Sequence, residues 1–543
     1  MEVALAGLPI EERNLLLDLL AQIRQRLLTP DRLRTWDHDE TFPEDVIREL
    51  LGPTIGLQLL FIPEEYGGMG GGARDLTALC EEMAKICVGV GTGILVIHLG
   101  SDPILVGGTE QQKRKWLSKV VEGAIVAYAA TEPEAGSNLA SLKTSATPVV
   151  DEEGTVTGYR ISGAKQFITN GGYADFLTVL AQTPEGPSFF IVEKDMPGFT
   201  AGKPEDKHGI RSSNTAPLSF DNVLVPAENL VGEIAGQGLD QANEVFGYTR
   251  LMVACCGLGA GEAALDKAIR YARERIQFGS PLIEKQGYTH KLILPYMAKL
   301  EAARAYIEEV ATRIDAGETD LQVEGALAKL FASEVGNACA DAAIQALGGY
   351  GYICEYDVEK IKRDVKITTI YEGTSEILQH LASVFRWRTV VKTGGQFYET
   401  LARQMDAAHA KRPDIKADTI AAVIRLLNAV FTEVHKAKAT RQQHLMFQLA
   451  TLAAAAETAA ALMSKVGRQD ESPANEPKRV ELCARVNAAL CAQTAFTITG
   501  EILYGSVIWS ADQIRAVYES SGFDYPRSQA GLVADMDTLR SML

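Results

Sequence analysis

The sequence predicts a multidomain α+β protein with four parts: an N-terminal helical domain, a middle β-barrel or sandwich, a C-terminal helical bundle and an extra C-terminal helical domain. Three observations predict it. The chain has 543 residues, more than one hydrophobic core usually organises. Apolar residues recur at helical spacing up to about residue 121 and again from about Ala235 onward. Between them, near Ala124, the texture changes to short β-branched and aromatic runs divided by turn residues. The expected boundaries are 1–124, 125–233, 234–388 and 389–543.

Residues 9–29 read as an amphipathic helix. Pro9 suits its first turn, Glu11 and Glu12 favour its N-terminus, and Leu15, Leu16, Leu19, Leu20, Ile23 and Leu27 form an apolar stripe. Phe42-Pro43 opens a second helix running to Leu51. The glycine cluster after Ile62-Pro-Glu-Glu-Tyr-Gly-Gly68 lacks a following Gly-Lys-Ser/Thr and a preceding strand, so it reads as a flexible turn. Helices follow over 75–121, broken and capped at Gly107-Gly108-Thr-Glu-Gln-Gln. The β-rich runs are 125–131, 158–162, 165–169, 176–181, 188–192 and 218–220, with turns at Asn170-Gly171, Glu185-Gly186 and Asp221-Asn222. A long helix spans 243–277. Its Gly257-Leu-Gly-Ala-Gly261 has no strand before it and reads as close helix packing, not a dinucleotide site. Helices at 288–316 and 322–347 lead to a glycine-rich loop. The last part reads as helices at 394–410, 416–438, 443–466, 478–505 and 511–519, with a polar linker at 468–477.

The net charge of −17 argues against nucleic acid or an anionic membrane as the main partner. None of the eight cysteines forms a Cys-x-x-Cys pair and most read as small core residues in a reducing compartment, and the scattered histidines argue against a metal site. Met1-Glu-Val-Ala-Leu has no basic segment ahead of an apolar one, so no signal peptide is expected. The apolar run 446–466 is rich in alanine and interrupted by Gln448, Glu457 and Thr458; a packed helix is expected rather than a membrane span, and a cytoplasmic location.

The chemistry concentrates in Thr369-Ile-Tyr-Glu-Gly-Thr-Ser-Glu376, a loop before a helix that Thr374 can cap. Glu372 lies between the Tyr371 ring and Gly373. A partly desolvated carboxylate is a competent base on carbon, and glycine lets a flat substrate approach the backbone. A helix-capping loop with a solvated Glu372 is the alternative reading. Tyr128-Ala-Ala-Thr-Glu-Pro-Glu-Ala-Gly-Ser137 offers the hydroxyls of Thr131 and Ser137 and an open backbone at Gly136, or simply an ordinary turn. Arg250 reads equally as an interhelical ion-pair partner and as a functional cation.

Tyr371-Glu-Gly-Thr374, preceded by Gln345-Ala-Leu-Gly-Gly-Tyr-Gly351, closely resembles the flavin-dependent acyl-CoA dehydrogenase family. Pro63-Glu-Glu-Tyr-Gly-Gly68, Tyr128 to Ser137, Phe167-Ile-Thr-Asn170 and Arg275-Ile-Gln-Phe-Gly279 recur in the family's order over about residues 40–388. The resemblance implies that Glu372 removes the α-proton of an acyl-CoA thioester while FAD takes the β-hydride. It implies FAD contacts from Tyr128, Ala130, Thr131, Gly136, Ser137, Phe167, Ile168, Thr169, Arg275, Gln277, Phe278, Gln286, Gln345, Gly348, Gly349, Thr374 and Glu376. Ser137, Thr249, Arg250, Tyr371 and Gly373 are expected near the substrate, with Arg250 orienting Glu372. Some relatives carry their base where Thr249 stands, which threonine cannot replace. Phe167 stands where the family usually has tryptophan, Gly247 where it often has Asp, and Glu376 where it more often has Gln.

By that resemblance the protein is a dehydrogenase of fatty acyl-CoA or other acyl-CoA metabolism, as in β-oxidation. Its acceptor is an electron-transfer flavoprotein, and it forms a homodimer or homotetramer with FAD at the subunit interface. An acyl-CoA oxidase, a flavin-containing nucleic-acid-binding relative and a non-catalytic helical scaffold are the rivals. Residues 389–543 are expected to support a dimer interface.

Overall fold

The computed structural model describes residues 7–468 and 475–543, with no side-chain description for Asn475 and Glu476. The N-terminal stretch read for a signal peptide, and residues 469–474 of the expected linker, lie outside the described residues. The chain forms two compact units. One holds the chain up to Met252 with Ala311–Thr319; the other holds Val253–Val310 and Asp320–Leu543. The boundary passes inside two long helices, Gly238–Glu274 and Leu294–Asp315.

In the first unit, helix Ile10–Arg26 turns Leu20 and Ile23 inward, and Arg13 pairs with the buried Asp75 at 2.5 Å. A further helix, Pro30–His38, precedes the expected one at Glu44–Leu50. Helix Ala73–Gly107 is interrupted by extended backbone at Cys87 and is followed by helix Glu110–Val121. Thr109 caps the latter: its hydroxyl accepts from the Gln112 N–H, and the Gln112 side chain returns to the Thr109 N–H.

The β region is one seven-stranded sheet: β1 Val126–Ala129, β2 Ser145–Val150, β3 Val156–Thr169, β4 Phe176–Thr183, β5 Gly186–Glu193, β6 Phe199–Ala201 and β7 Thr215–Pro226. The order is β1-β4-β2-β3-β7-β6, with β5 also paired to β4; β1 and β4 run parallel. Its core packs Ile161, Val179, Phe190, Val192, Phe220, Val223 and Val225. The runs expected at 158–162 and 165–169 are one strand, bulged between Lys165 and Ile168. Asp221-Asn222, expected as a turn, lies inside β7. Asn222 takes positive φ where the β3–β7 register slips, so its turn-forming residues make a bulge.

The second unit is helical. Gln322–Leu347, Val358–Val365 and Ser375–Thr393 are followed by Gln396–Lys411, Ala417–Lys436, Gln443–Arg468 and Asn475–Gly500. The helix expected to reach residue 505 ends instead in a π-helical turn, Glu501–Gly505. Three helices follow: Ala511–Ser521, Tyr525–Gln529 and Leu532–Arg540. Glu457 anchors this bundle. It accepts two hydrogen bonds from Arg386 (2.8 and 2.7 Å) and one each from the hydroxyls of Tyr306 and Tyr398, both 3.0 Å. Arg386 also donates to Glu324 at 3.1 Å. Burial first, and the nearby Glu457 next, push both tyrosine hydroxyls well above their ordinary range, so they stay protonated donors. Ala73–Gly107 and Gln443–Arg468 are long and apolar enough to cross a membrane, but 78% of the most apolar window of each is buried inside the protein.

Candidate active site

The loop carrying Glu372 is held by one face of helix Gln322–Leu347. Asn337, Ser333 and Lys329 stand four residues apart, so their side chains stack along one side of that helix. Asn337 donates to the Val365 carbonyl at 3.0 Å and Ser333 to the Thr368 carbonyl at 3.1 Å; the fully buried Lys329 donates to the Gly373 carbonyl. Ser375 closes the anchor by donating to Glu334 at 2.6 Å. Nothing in the local sequence around Glu372 announces these contacts. The signal that carries them is three polar residues at fourfold spacing along one side of the helix.

Within this frame Glu372 is half-buried with φ of +52°, followed by Gly373 at +97°. Left-handed backbone is routine for glycine but strained for a residue with a Cβ, and such strain persists where the surroundings over-determine it. Tyr371 hydrogen-bonds the buried Cys256 thiol. Burial, assisted by the Glu372 carboxylate, pushes that thiol up to about 12, so it stays neutral. Thr374 caps the next helix by accepting from the Ile377 N–H at 3.4 Å. Glu376 is exposed in that helix's first turn. Its own backbone N–H and the Thr374 hydroxyl hold its carboxyl below the ordinary range, so it serves the helix end.

Elsewhere in the second unit a cleft of about 500 Å³ is lined by Tyr271, Arg275, Gln277, Gly348, Gly349 and Tyr350, among others. Arg275 and Gln277 lie on a two-stranded hairpin, Ile276–Gln277 with Ser280–Pro281. Phe278 and Gly279 form its turn with φ of +50° and +82°, and the Phe278 ring is 98% exposed. Side chains added at Gly348 or Gly349 would meet nothing within 4 Å, so the backbone there is open to a ligand. Gln345 is exposed at the end of the neighbouring helix. Gln286 lies outside the cleft lining, and its amide nitrogen is 3.0 Å from each carboxylate oxygen of Asp537.

In the first unit, Tyr128 lies on β1 against Phe189 and Phe246, and Ala130 is buried while Gly136 and Ser137 are exposed. The turn is braced by an ion pair that local reading missed. Lys165, fully buried, donates to Glu132 at 2.7 Å and to the Ala130 carbonyl at 3.0 Å, and Glu132 accepts from the Lys143 and Thr144 N–H groups. Burial pushes the Lys165 ammonium down to about 8, against the pull of Glu132. Burial also raises Glu132, but Lys165 and the N–H donors overrule it and hold the carboxyl below its ordinary range. Phe167 takes φ of +60° at the β3 bulge, which turns its ring out to 63% exposure. Ile168 is buried and Thr169 half-buried on the same strand. Asn170 fixes the end of that stretch by donating to the carbonyls of Gly93 (2.8 Å) and Val126 (3.2 Å). Thr249 and Arg250 are both buried on helix Gly238–Glu274, with Arg250 over the Phe246 ring at 5.6 Å.

Three family models match in series: Acyl-CoA dehydrogenase N-terminal domain over residues 10–124, middle domain over 127–223 and C-terminal domain over 236–384. The acyl-CoA dehydrogenase of Bacillus subtilis (strain 168) is 40% identical over 354 residues, 64% of this chain and 90% of the relative. The chain therefore belongs to the acyl-CoA dehydrogenase family, oxidoreductases acting on the CH–CH bond of acyl-CoA thioesters. A chain from a structure of the electron transferring flavoprotein of Acidaminococcus fermentans is 34% identical, with a TM-score of 0.65 covering 69% of this chain and 98% of that one. An acyl-CoA dehydrogenase complexed with FAD from Bacillus anthracis, 24% identical, covers 99% of this chain and 96% of its own, with a TM-score of 0.81. That last likeness concerns the fold and extends through residues 389–543. FAD is the family's cofactor. The residues fit it: an arginine and a glutamine face open glycine backbone in the cleft, suited to a pyrophosphate, and Gly136 and Ser137 lie uncovered on the first unit.

Proposed function

We propose that the protein dehydrogenates an acyl-CoA thioester to the trans-2-enoyl-CoA and passes the electrons to an external electron-transfer flavoprotein. The single observation that carries this reading is the half-buried carboxylate of Glu372, held in left-handed backbone by three anchors from one helix face. Its carboxylate takes the α-proton, which the thioester carbonyl acidifies. Hydrogen bonds to the thioester oxygen stabilise the developing enolate. Bound FAD supplies the two-electron acceptor for the hydride leaving the β-carbon. Tyr128, Ala130, Thr131, Gly136, Ser137, Phe167, Ile168 and Thr169 hold the copy's own FAD, and Arg275, Gln277, Gly348 and Gly349 reach the FAD of a neighbouring copy. Thr249 and Arg250 face the thioester, with Arg250 orienting Glu372. The subunits assemble as a homodimer or homotetramer in which the Arg275 hairpin serves the neighbouring copy's FAD, and the division 1–124, 125–233, 234–388 and 389–543 marks the working parts.

Likeness to a chain of the Acidaminococcus structure supports the choice of acceptor. An anaerobic titration with short, long, branched, aromatic and dicarboxylic acyl-CoAs, following flavin absorbance, tests the reading. Bleaching by one class is expected, and repeating it under air with little peroxide excludes an oxidase. A bound flavin that no acyl-CoA bleaches contradicts the proposal.

A further inference from the structure

The last helix of the extension, Leu532–Arg540, is joined to the arm that carries Arg275 and Gln277. Its inner face is fixed: Met536 and Leu539 are buried with Leu294 and Ala298 of one helix and Leu482, Cys483 and Val486 of another. Asp535, also buried, pairs with Arg485 and, at 3.2 Å, with Lys416. Its polar side, and the residues that follow it, reach the arm. The Gln286 amide donates to both oxygens of Asp537 at 3.0 Å, and the His290 ring nitrogen lies 3.5 Å from the same carboxylate. Arg540 donates to the Glu284 carbonyl at 2.7 Å. Arg273, just before the hairpin, donates twice to the Leu543 main-chain oxygen, at 3.1 and 2.7 Å.

The hairpin's own hold is slight: Arg275 lies over the Tyr350 ring at 5.9 Å and the Lys285 ammonium donates to the Phe278 carbonyl at 3.3 Å. Two residues pair with two, its turn residue Phe278 is almost wholly exposed, and Ile276 is 61% exposed. Isolated two-stranded hairpins are marginal in water, so the arm depends also on what grips its two ends. Those ends are Arg273 and the Glu284–Gln286 segment, the points that the segment 532–543 touches.

We infer that helix Leu532–Arg540 is a strap that pre-orients the Arg275 hairpin, with Asp537 and Arg540 as positioning residues for FAD retention. This rests on the reading that Arg275 and Gln277 hold FAD. It gives part of the extension a specific task, since a pre-ordered arm spends less conformational entropy on binding.

The test compares FAD affinity of apoprotein reconstituted with FAD, by quenching of flavin fluorescence, for wild type, Arg275→Ala, Asp537→Ala/Arg540→Ala and Asp537→Asn. Asp537 is solvent-accessible, so the apoproteins are expected to melt together. The double variant is expected to bind FAD about tenfold more weakly, the loss of two modest hydrogen-bonded contacts, while its flavin reduction rate at saturating FAD is unchanged. Asp537→Asn keeps an acceptor for Gln286 and is expected to stay within about threefold of wild type. Wild-type affinity in the double variant, with Arg275→Ala impaired, overturns the strap. So does an Asp537→Asn protein as weak as the double variant. Unimpaired binding by Arg275→Ala overturns instead the reading on which the strap rests.

Discussion

Replacing Lys329 by methionine removes a buried ammonium with little change in side-chain length, and the consequence is legible in the Glu372 loop. Glu372 occupies left-handed backbone at φ +52°. That conformation costs a residue with a Cβ about 1–2 kcal/mol. A hydrogen bond from a charged donor, such as Lys329 to the Gly373 carbonyl, contributes about 1.5–3 kcal/mol. The anchor therefore outweighs the strain one peptide unit away. Ser333 and Asn337 still hold Thr368 and Val365, and Ser375 still donates to Glu334, but the Gly373 carbonyl loses its charged donor and the loop relaxes toward ordinary backbone. A loss of about 1.5–3 kcal/mol of pre-organisation slows proton removal by about ten- to a hundredfold. Anaerobic stopped-flow measurement of flavin reduction reads this directly. FAD content and KM should stay near wild type, because the change concerns the position of the base and not the affinity of the site. Lys329→Arg, which restores a buried donor, should recover part of the rate. A Lys329→Met protein with full flavin content and a reduction rate within about threefold of wild type would refute the reasoning.

Arg386→Met leaves Glu457 and Glu324 buried without their cation, and the penalty for breaking such a pair is about 3–5 kcal/mol; a drop of under about 1 kcal/mol in urea unfolding of the helical unit contradicts that account. Asp175 accepts from Arg48, Lys194 and the Ile125 N–H. Burial alone would raise its carboxyl, but these donors together hold it below the ordinary value. The folded protein thus takes up this proton less readily than the unfolded chain. The resulting stability is complete above the ordinary carboxylate pKa and is lost as pH falls through the lower folded value. Between about pH 5 and pH 3, Asp175→Asn should therefore lose less stability than wild type in pH-dependent denaturation; parallel curves would remove Asp175 from the account.

Local chemistry made some elements readable. Thr109 with Gln112, and Thr374 with Ile377, are caps written within four residues, and both form. The bulge at Asp221-Asn222 was misread because turn-forming residues also serve inside a strand whose register slips. β2 was missed because Pro148 interrupts Ser145-Ala-Thr-Pro-Val-Val150, although β3 pairs along its whole length. The Glu372 loop was conspicuous from Tyr371-Glu-Gly-Thr374, whereas its anchors lie up to 44 residues away on a separate helix. The Lys165–Glu132 pair and the Gln286–Asp537 link, 33 and 251 residues apart, are products of tertiary packing that no local pattern encodes.

The most direct test of the central claim is Glu372→Gln, purified with its FAD and mixed anaerobically with the acyl-CoA that bleaches the wild-type flavin. The glutamine keeps the size of the side chain and removes its basicity. The account predicts retained flavin and a bleaching rate lowered by at least about two to four orders of magnitude, the usual range for a lost general base. Bleaching at the wild-type rate would contradict it and move the base to another residue.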